Sequence, residues 1–119
     1  MFDLTYKTIE QPAEGIFKDK GSKFFGLAFP AKTEQEIKVL LNRIKSEHPK
    51  ANHHCYAMRL GMQKSLFRYN DDREPANTAG KPIFAVIQSN DLTNIFIVVV
   101  RYFGGTLLGV PGLINAYRS

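Results

Sequence analysis

The stretch NIFIVVVRYFGG, residues 94–105, decides the fold that this sequence encodes. Residues 94–100 are nearly all apolar and mostly β-branched, a composition that is typical of a strand covered on both faces. We therefore predict that they form the central strand of a sheet. The segment RYFGG follows at the carboxyl end of this strand, where open α/β sheets usually bind their ligands.

The glycine-rich segment over residues 104–112 has two interpretations. Glycines ahead of a helix are typical of loops whose backbone approaches a phosphate closely. They also occur wherever a chain turns sharply between a strand and a helix. The segment matches neither a Walker loop nor a dinucleotide-binding fingerprint. Residues 113–119 then begin an amphipathic pattern without a stop signal, which predicts a helix and indicates a truncated chain.

Periodicity predicts the remaining elements. Thr33 and Glu36 match a capping box followed by an apolar stripe, so a helix begins here and ends near His48, ahead of Pro49. A second helix is predicted over residues 81–88, after the polar loop NDDREPANTAGK. The first strands are expected to pair antiparallel around a turn at residues 20–22. Alternating or β-branched patterns predict strands at residues 2–9, 15–17, 23–29, 52–60 and 64–69.

Composition restricts the class of protein. The chain has 119 residues, of which 44% are hydrophobic and 23% are charged, and this predicts one folded domain rather than a disordered or collagen-like chain. Its longest apolar run, residues 95–100, is far shorter than the roughly 20 residues that span a membrane. The amino terminus lacks the pattern of a secretory signal. With Cys55 as the single cysteine, we expect a cytoplasmic protein without disulfides or membrane contact.

The formal net charge is +5, and the excess lies in the first 68 residues, because acidic and basic residues balance in the remainder. The basic side chains are spread along this part without a run of like charges. One interpretation is a solvated basic face, and the other is an electrostatic footprint for nucleic acid. Phe67, Tyr69, Tyr102 and Phe103 flank the two loops and could offer stacking surfaces to bases.

The sequence DDRE, residues 71–74, places three carboxylates and one guanidinium shortly before a predicted helix. Such carboxylates could bind a divalent cation or act as acid and base, while free amides at the helix start could hold an anion. Alternatively, they cap the helix and form ion pairs on a surface loop. The paired aspartates lack the spacing of a calcium loop, and we assign no catalytic residue, metal or cofactor.

His53, His54 and Cys55 are consecutive in a predicted strand, so His53 and Cys55 share one face while His54 lies on the other. A zinc site would need a second cluster of ligands, which the sequence lacks. Residues two apart on a strand rarely align as nucleophile and base. We interpret the three as packed or hydrogen-bonded polar residues near the acidic loop.

Four segments together carry a family resemblance. In order along the chain, they are SKFFGLAFP, HHCYAMRLG, RYNDDREPANTAGKPI and LTNIFIVVVRYFGGTLLGVPGLINAY. On these segments, the sequence resembles the amino-terminal domain of the YigZ/IMPACT family from about Gly15 to Ser119.

The resemblance implies an α/β (α+β) two-layer sandwich related to the second domain of small-subunit ribosomal protein five, with a mixed sheet and helices on one face. It also implies a further, ferredoxin-like domain in bacterial members. Eukaryotic members regulate translation by competing for a ribosome-associated scaffold that activates an initiation-factor kinase. For bacterial members, nucleic-acid or ribosome binding is the usual proposal. The expected partners are therefore RNA, the ribosome or a translation-associated protein.

Two segments match the family's motifs, and each departs from them. Arg73 stands where the first motif usually has glycine, and Ala76-Asn77 stand where it has Ser-Gly. In the second motif, Leu107 replaces a frequent lysine and Val110-Pro111 replace Ala-Gly. The candidate ligand-binding or anion-binding residues are Asp71, Asp72, Glu74, Thr78, Gly80, Lys81, Arg101, Tyr102, Phe103, Gly104, Gly105 and Gly109.

Our leading hypothesis is a non-enzymatic binding domain linked to translation, in which residues 71–82 and 101–112 form one concave site. Arg101 would pair with a phosphate or with a carboxylate of the acidic loop. One alternative is a protein-interaction module for a ribosome-associated partner. Another is a hydrolase with Asp72 or Glu74 as base or metal ligand and the amides of the glycine-rich loop as anion donors.

Overall fold

A computed structural model describes residues 8–19, 21–104 and 112. The predicted helix over residues 113–119 and most of the predicted strand over residues 2–9 lie outside the described residues. Among those that are described, no helix is long and apolar enough to cross a membrane. The elements, in chain order, are β1 (Ala13–Asp19), β2 (Ser22–Pro30), α1 (Glu34–Glu47), β3 (His53–Leu60), β4 (Leu66–Asn70), α2 (Gly80–Ser89) and β5 (Ile95–Tyr102).

The strands form one five-stranded sheet in the order β1-β2-β5-β3-β4, so β5 is central, as predicted. Its register places Arg101 opposite Phe24 of β2 and opposite His53 of β3. The predicted antiparallel pairing of the first hairpin is confirmed. The expected mixed sheet was wrong for the described strands: β1–β2 and β3–β4 are hairpins, and β5 runs antiparallel to the inner strand of each.

Each face of β5 has its own core. Ile95 and Val99 pack in a cluster with α2, whereas Phe96, Val98 and Val100 pack in a cluster with α1. The α+β class is confirmed, but the expectation that the helices lie on one face was wrong for α1 and α2. The reason lies in β5 itself: its apolar residues point to both faces, and each face is stabilised when a helix removes it from water.

Helix α1 begins and ends as its sequence predicts. The hydroxyl oxygen of Thr33 accepts a hydrogen bond of 3.1 Å from the backbone N–H of Glu36. The Glu36 carboxylate accepts one of 3.0 Å from the N–H of Lys32, one residue earlier than in a standard capping box. The helix closes at His48, whose N–H donates to the carbonyl of Ile44. His48 thereby reaches the end of the sheet where β5 ends, beside Tyr102.

Helix α2 starts beside the acidic loop and packs against β3, β4 and β5. Its N-cap residue, Ala79, makes no side-chain capping bond. At Gly80 there is no room for a side chain, since a Cβ atom would lie 2.7 Å from the backbone nitrogen of Asn70. The glycine therefore lets the helix start in direct contact with the end of β4.

Candidate functional site

A buried ion pair lies where β5 ends. Nη1 of Arg101 is 2.8 Å and 2.6 Å from the two carboxylate oxygens of Glu74, and each side chain is only 4% exposed. The rings of Phe24 and Phe103 lie over the guanidinium, with centroids 5.5 Å and 5.3 Å from its central carbon. Of the two partners considered for Arg101, the structure supplies the carboxylate of the acidic loop.

Ser22 and Gly104 complete the surroundings of this pair. The Ser22 hydroxyl oxygen accepts from Nη2 of Arg101 at 3.3 Å and from the N–H of Gly104 at 3.2 Å. A Cβ atom on Gly104 would lie 2.0 Å from the carbonyl carbon of Gly21, in the β1–β2 turn. The glycine thus permits a close approach between two segments of the protein. Gly105 and Gly109 lie outside the described residues, and no sequence pattern indicated Ser22.

Asp71 caps helix α2 from the acidic loop. One of its carboxylate oxygens accepts from the N–H groups of Ala79 at 3.2 Å and Gly80 at 2.8 Å. The other accepts from the N–H of Asn77 at 3.0 Å. The amides at the helix start are therefore bonded to the protein's own carboxylate, and this position offers no open anion site. The alternative interpretation of DDRE, a capping and ion-pairing loop, describes these contacts.

Thr78 and Lys81, the two other candidate residues near the start of α2, differ in their exposure to solvent. Thr78 is buried, and its hydroxyl donates to the carbonyl of Pro75 at 2.5 Å, which closes the turn ahead of α2. Lys81 is exposed in the first turn of α2. Only the lysine of this pair is available to an external anion.

The histidines and cysteine of β3 hold the acidic loop onto the sheet. The backbone N–H of His54 donates to the Asp72 carboxylate at 2.6 Å, and the Cys55 thiol donates to the carbonyl of Asp71 at 3.0 Å. The His53 ring bridges the loop: Nδ1 is 2.7 Å from the carbonyl of Asp72, and Nε2 is 3.3 Å from Glu74. These contacts match the interpretation of the three residues as hydrogen-bonded polar groups beside the loop.

Tyr102 belongs to the opposite face of the sheet. Its hydroxyl is 2.5 Å from Nδ1 of His48, at the end of α1. Phe103 is 44% exposed, and its N–H donates to the Asn52 side-chain carbonyl at 2.8 Å. The structure therefore brings Arg101, Glu74 and Phe103 together but separates Tyr102 from them. Asn52 precedes β3, and its sequence context gave no signal for this role.

Two departures from the family motif fall at left-handed backbone positions. The φ angles are +71° at Arg73 and +64° at Asn77, a region in which glycine is unstrained and other residues are uncommon. Asn tolerates this region better than most residues. Arg73 donates to the carbonyl of Asn52 at 2.9 Å, and its side chain remains 76% exposed.

The chemical character of the site follows from these contacts. All three carboxylates of the acidic loop accept hydrogen bonds or ion pairs from donors of the protein itself. Within residues 8–19, 21–104 and 112, no group of three or more His, Cys, Asp or Glu side chains is placed to hold a metal ion. The arrangement fixes a loop on the sheet end and neutralises Arg101. The exposed side chains around it include Arg73, Lys81 and Phe103.

Comparison with known proteins identifies the family. The family model described as the Impact N-terminal domain matches residues 20–119 of this sequence. The chain belongs to the IMPACT family. An IMPACT family member from Haemophilus influenzae is 40% identical over 108 residues, which cover 87% of this chain and 52% of the relative. The chain spans about half the length of the curated relatives it matches. The expected ferredoxin-like domain stays a prediction.

Solved structures confirm the fold of this IMPACT domain. The crystal structure of a hypothetical protein, 35% identical, matches with a TM-score of 0.90 and covers 93% of this chain and 55% of its own. The two-domain translational regulator Yih1, 26% identical, matches with a TM-score of 0.58 and covers 97% of this chain and 47% of its own.

Proposed function

We propose that this IMPACT-family chain is a non-enzymatic binding domain that contributes to the regulation of translation by contacting RNA or the ribosome. Its similarity to Yih1, a translational regulator, supports the link to translation. The relevant compartment under this proposal is the cytoplasm, where ribosomes act.

The internal bonding of the acidic loop carries the non-enzymatic part of this proposal. A general base must reach a substrate proton with a free lone pair. Glu74 instead faces Arg101 and is 4% exposed, and Asp71 accepts three backbone N–H groups. Asp72 accepts the N–H of His54. A hydrolase that uses Glu74 or Asp71 as its base would first have to break the contacts that hold the loop in place.

The distribution of positive charge supports RNA as the binding partner. Several lysines are exposed, and none of them is in an ion pair with a described residue. Lysines without an ion pair can neutralise phosphates and release counterions where a bound nucleic acid reaches them, so only those on the contacted face take part in binding. The exposed lysines without ion pairs are Lys18, Lys23, Lys32, Lys38, Lys45, Lys50 and Lys81.

Fluorescence anisotropy with labelled single-stranded and duplex RNA tests the proposal. The chain is titrated at low and at physiological salt. We expect binding that weakens steeply as salt rises, because phosphate contacts release counterions. No binding of either RNA at low salt would overturn RNA binding by this domain.

A protein-interaction module is the second candidate function, and edge strand β4 favours it. Phe67 and Tyr69 on this strand are 47% and 38% exposed, and both rings stack on Phe84 of α2. Exposed aromatic residues at a sheet edge are typical of surfaces that receive a partner. Capture of a translation-associated protein by the chain, but not by a folded F67S/Y69S variant, would support this function.

A further inference from the structure

Three side chains form a row across the end of the sheet, on the face that carries α1. Lys18 of β1 is directly opposite Lys23 of β2, and Lys23 is directly opposite Tyr102 of β5. Residues directly opposite on antiparallel strands point to the same face, with Cβ atoms about 5 Å apart. The next row places Ile16 opposite Phe25. We call these five residues the hairpin face.

The charge of the hairpin face is not compensated within the described protein. Like charges directly opposite on adjacent strands repel each other, and neither Lys18 nor Lys23 pairs with a described carboxylate. Asp19 follows Lys18 by one residue and so points to the other face. Glu14 is on the same face as Lys18, but it lies four residues earlier, about 13 Å along the strand. A polyanion would relieve this repulsion.

Aromatic and apolar groups lie directly beside these lysines. Nζ of Lys23 is 5.8 Å from the centroid of the Phe25 ring. That ring contacts Tyr102 edge-on at 5.8 Å and His48 at 5.6 Å, so the three rings form one cluster. Ile16 is 65% exposed beside them. Phe25 and Tyr102 are half-buried, and aromatic rings beside lysines at the surface of a sheet are typical of sites at which unpaired bases stack while the backbone phosphates meet the cations.

Given the proposed function, on which this inference rests, we propose that the hairpin face binds single-stranded RNA. Lys18 and Lys23 contact phosphates, and the cluster of Phe25, Tyr102 and Ile16 contacts bases. Duplex RNA is excluded from this role because its bases are stacked and paired and cannot reach the rings. This surface lies on the opposite side of the sheet from the Arg101–Glu74 pair, so it differs from the concave loop site expected from the sequence.

The salt dependence of binding tests this assignment. The affinity of the chain for a single-stranded RNA is measured by anisotropy over a range of salt concentrations, for the wild type and for a K18Q/K23Q double variant. Each phosphate contact to a single strand contributes about 0.7 to the slope of log K against log salt. Loss of two contacts should therefore lower the magnitude of that slope by about 1.4.

The matched control is a K32Q/K38Q double variant, which removes the same charge. Lys32 follows β2 at the end away from Lys23, and Lys38 lies in the first half of α1. This variant should keep the slope of the wild type. Circular dichroism verifies that both variants are folded, which is expected because all four lysines are exposed.

The possible outcomes separate the inference from the function on which it rests. If the wild type binds RNA but K18Q/K23Q keeps its slope, the hairpin face is not the site, while the proposed function stands. Duplex RNA bound as tightly as single-stranded RNA would overturn the assignment of a single strand. No binding by the wild type at low salt would overturn the proposed function itself.

Discussion

Arg101 and Glu74 are 27 residues apart in sequence and form an ion pair in which each side chain is 4% exposed. The pair joins the central strand to the acidic loop. Through this pair, the described parts of the two motif segments, residues 71–75 and 101–104, form one structural unit. Their shared role in this chain is to fix the acidic loop over the end of β5.

Glu74→Gln should destabilise the protein strongly. The change keeps the shape of the side chain but leaves the guanidinium of Arg101 buried without a counter-charge. Breaking a buried pair from one side typically costs 3–5 kcal/mol, so urea denaturation should show a loss of about 3 kcal/mol in the free energy of unfolding. A double R101M/E74L variant should recover part of this loss, because no charge stays buried. A Glu74→Gln variant as stable as the wild type would contradict the structural role of the ion pair.

At position 73, glycine should be more stable than alanine. Both substitutions remove the hydrogen bond from the Arg73 side chain to Asn52, but only alanine keeps a Cβ atom at a φ of +71°. Left-handed backbone costs a residue with a Cβ atom about 1 kcal/mol. Thermal or urea denaturation of the two variants should therefore differ by about that amount. Equal stabilities would show that position 73 carries no backbone strain.

Gly80→Ala should destabilise the start of α2, whereas Gly15→Ala should not destabilise β1. A Cβ atom at Gly80 would meet the backbone of Asn70 at 2.7 Å, while at Gly15 nothing lies within 4 Å. Overpacking of this kind costs about 1–3 kcal/mol. Gly15→Ala is the matched control, because it lowers the conformational entropy of the unfolded chain in the same way but causes no clash. Equal changes in melting temperature for the two variants would contradict the close contact.

Asp71→Ala should lower stability by about 2 kcal/mol, the upper end for loss of a helix cap. The alanine leaves the N–H groups of Asn77, Ala79 and Gly80 without their acceptor. Asp71→Asn keeps one carbonyl oxygen and should lose about half as much, as measured by urea denaturation followed at the helical circular dichroism band. An alanine variant with wild-type stability would mean that Asp71 is free for another role.

Local sequence signals predicted the parts of the fold that depend on neighbouring residues. The capping signal at Thr33 located the start of α1, and the unbroken apolar run of residues 95–100 identified the central strand. The period of a strand also predicted that His53 and Cys55 share a face. The same run indicated that both faces of the sheet are covered, as α1 and α2 show. The resemblance, in contrast, implied that the helices lie on one face.

Contacts between distant segments account for what the sequence left open. The choice between a phosphate and a carboxylate for Arg101 depends on how the acidic loop folds over β5, which no local pattern specifies. Ser22 joins the site only because the β1–β2 turn approaches Gly104. Grouping Arg101 with Tyr102 followed their proximity in sequence, whereas adjacent strand residues point to opposite faces. The left-handed backbone at Arg73 is likewise a product of the loop's contacts.

A backbone-amide NMR titration of the isotope-labelled chain with single-stranded RNA at low salt shows most directly where this domain binds. We expect shift changes centred on Lys18, Lys23, Phe25 and Tyr102, with the amides of the acidic loop, residues 71–80, close to their free positions. Shift changes centred on residues 71–80 instead, or no shift changes at all, would contradict binding at the hairpin face by a domain whose acidic loop is structural.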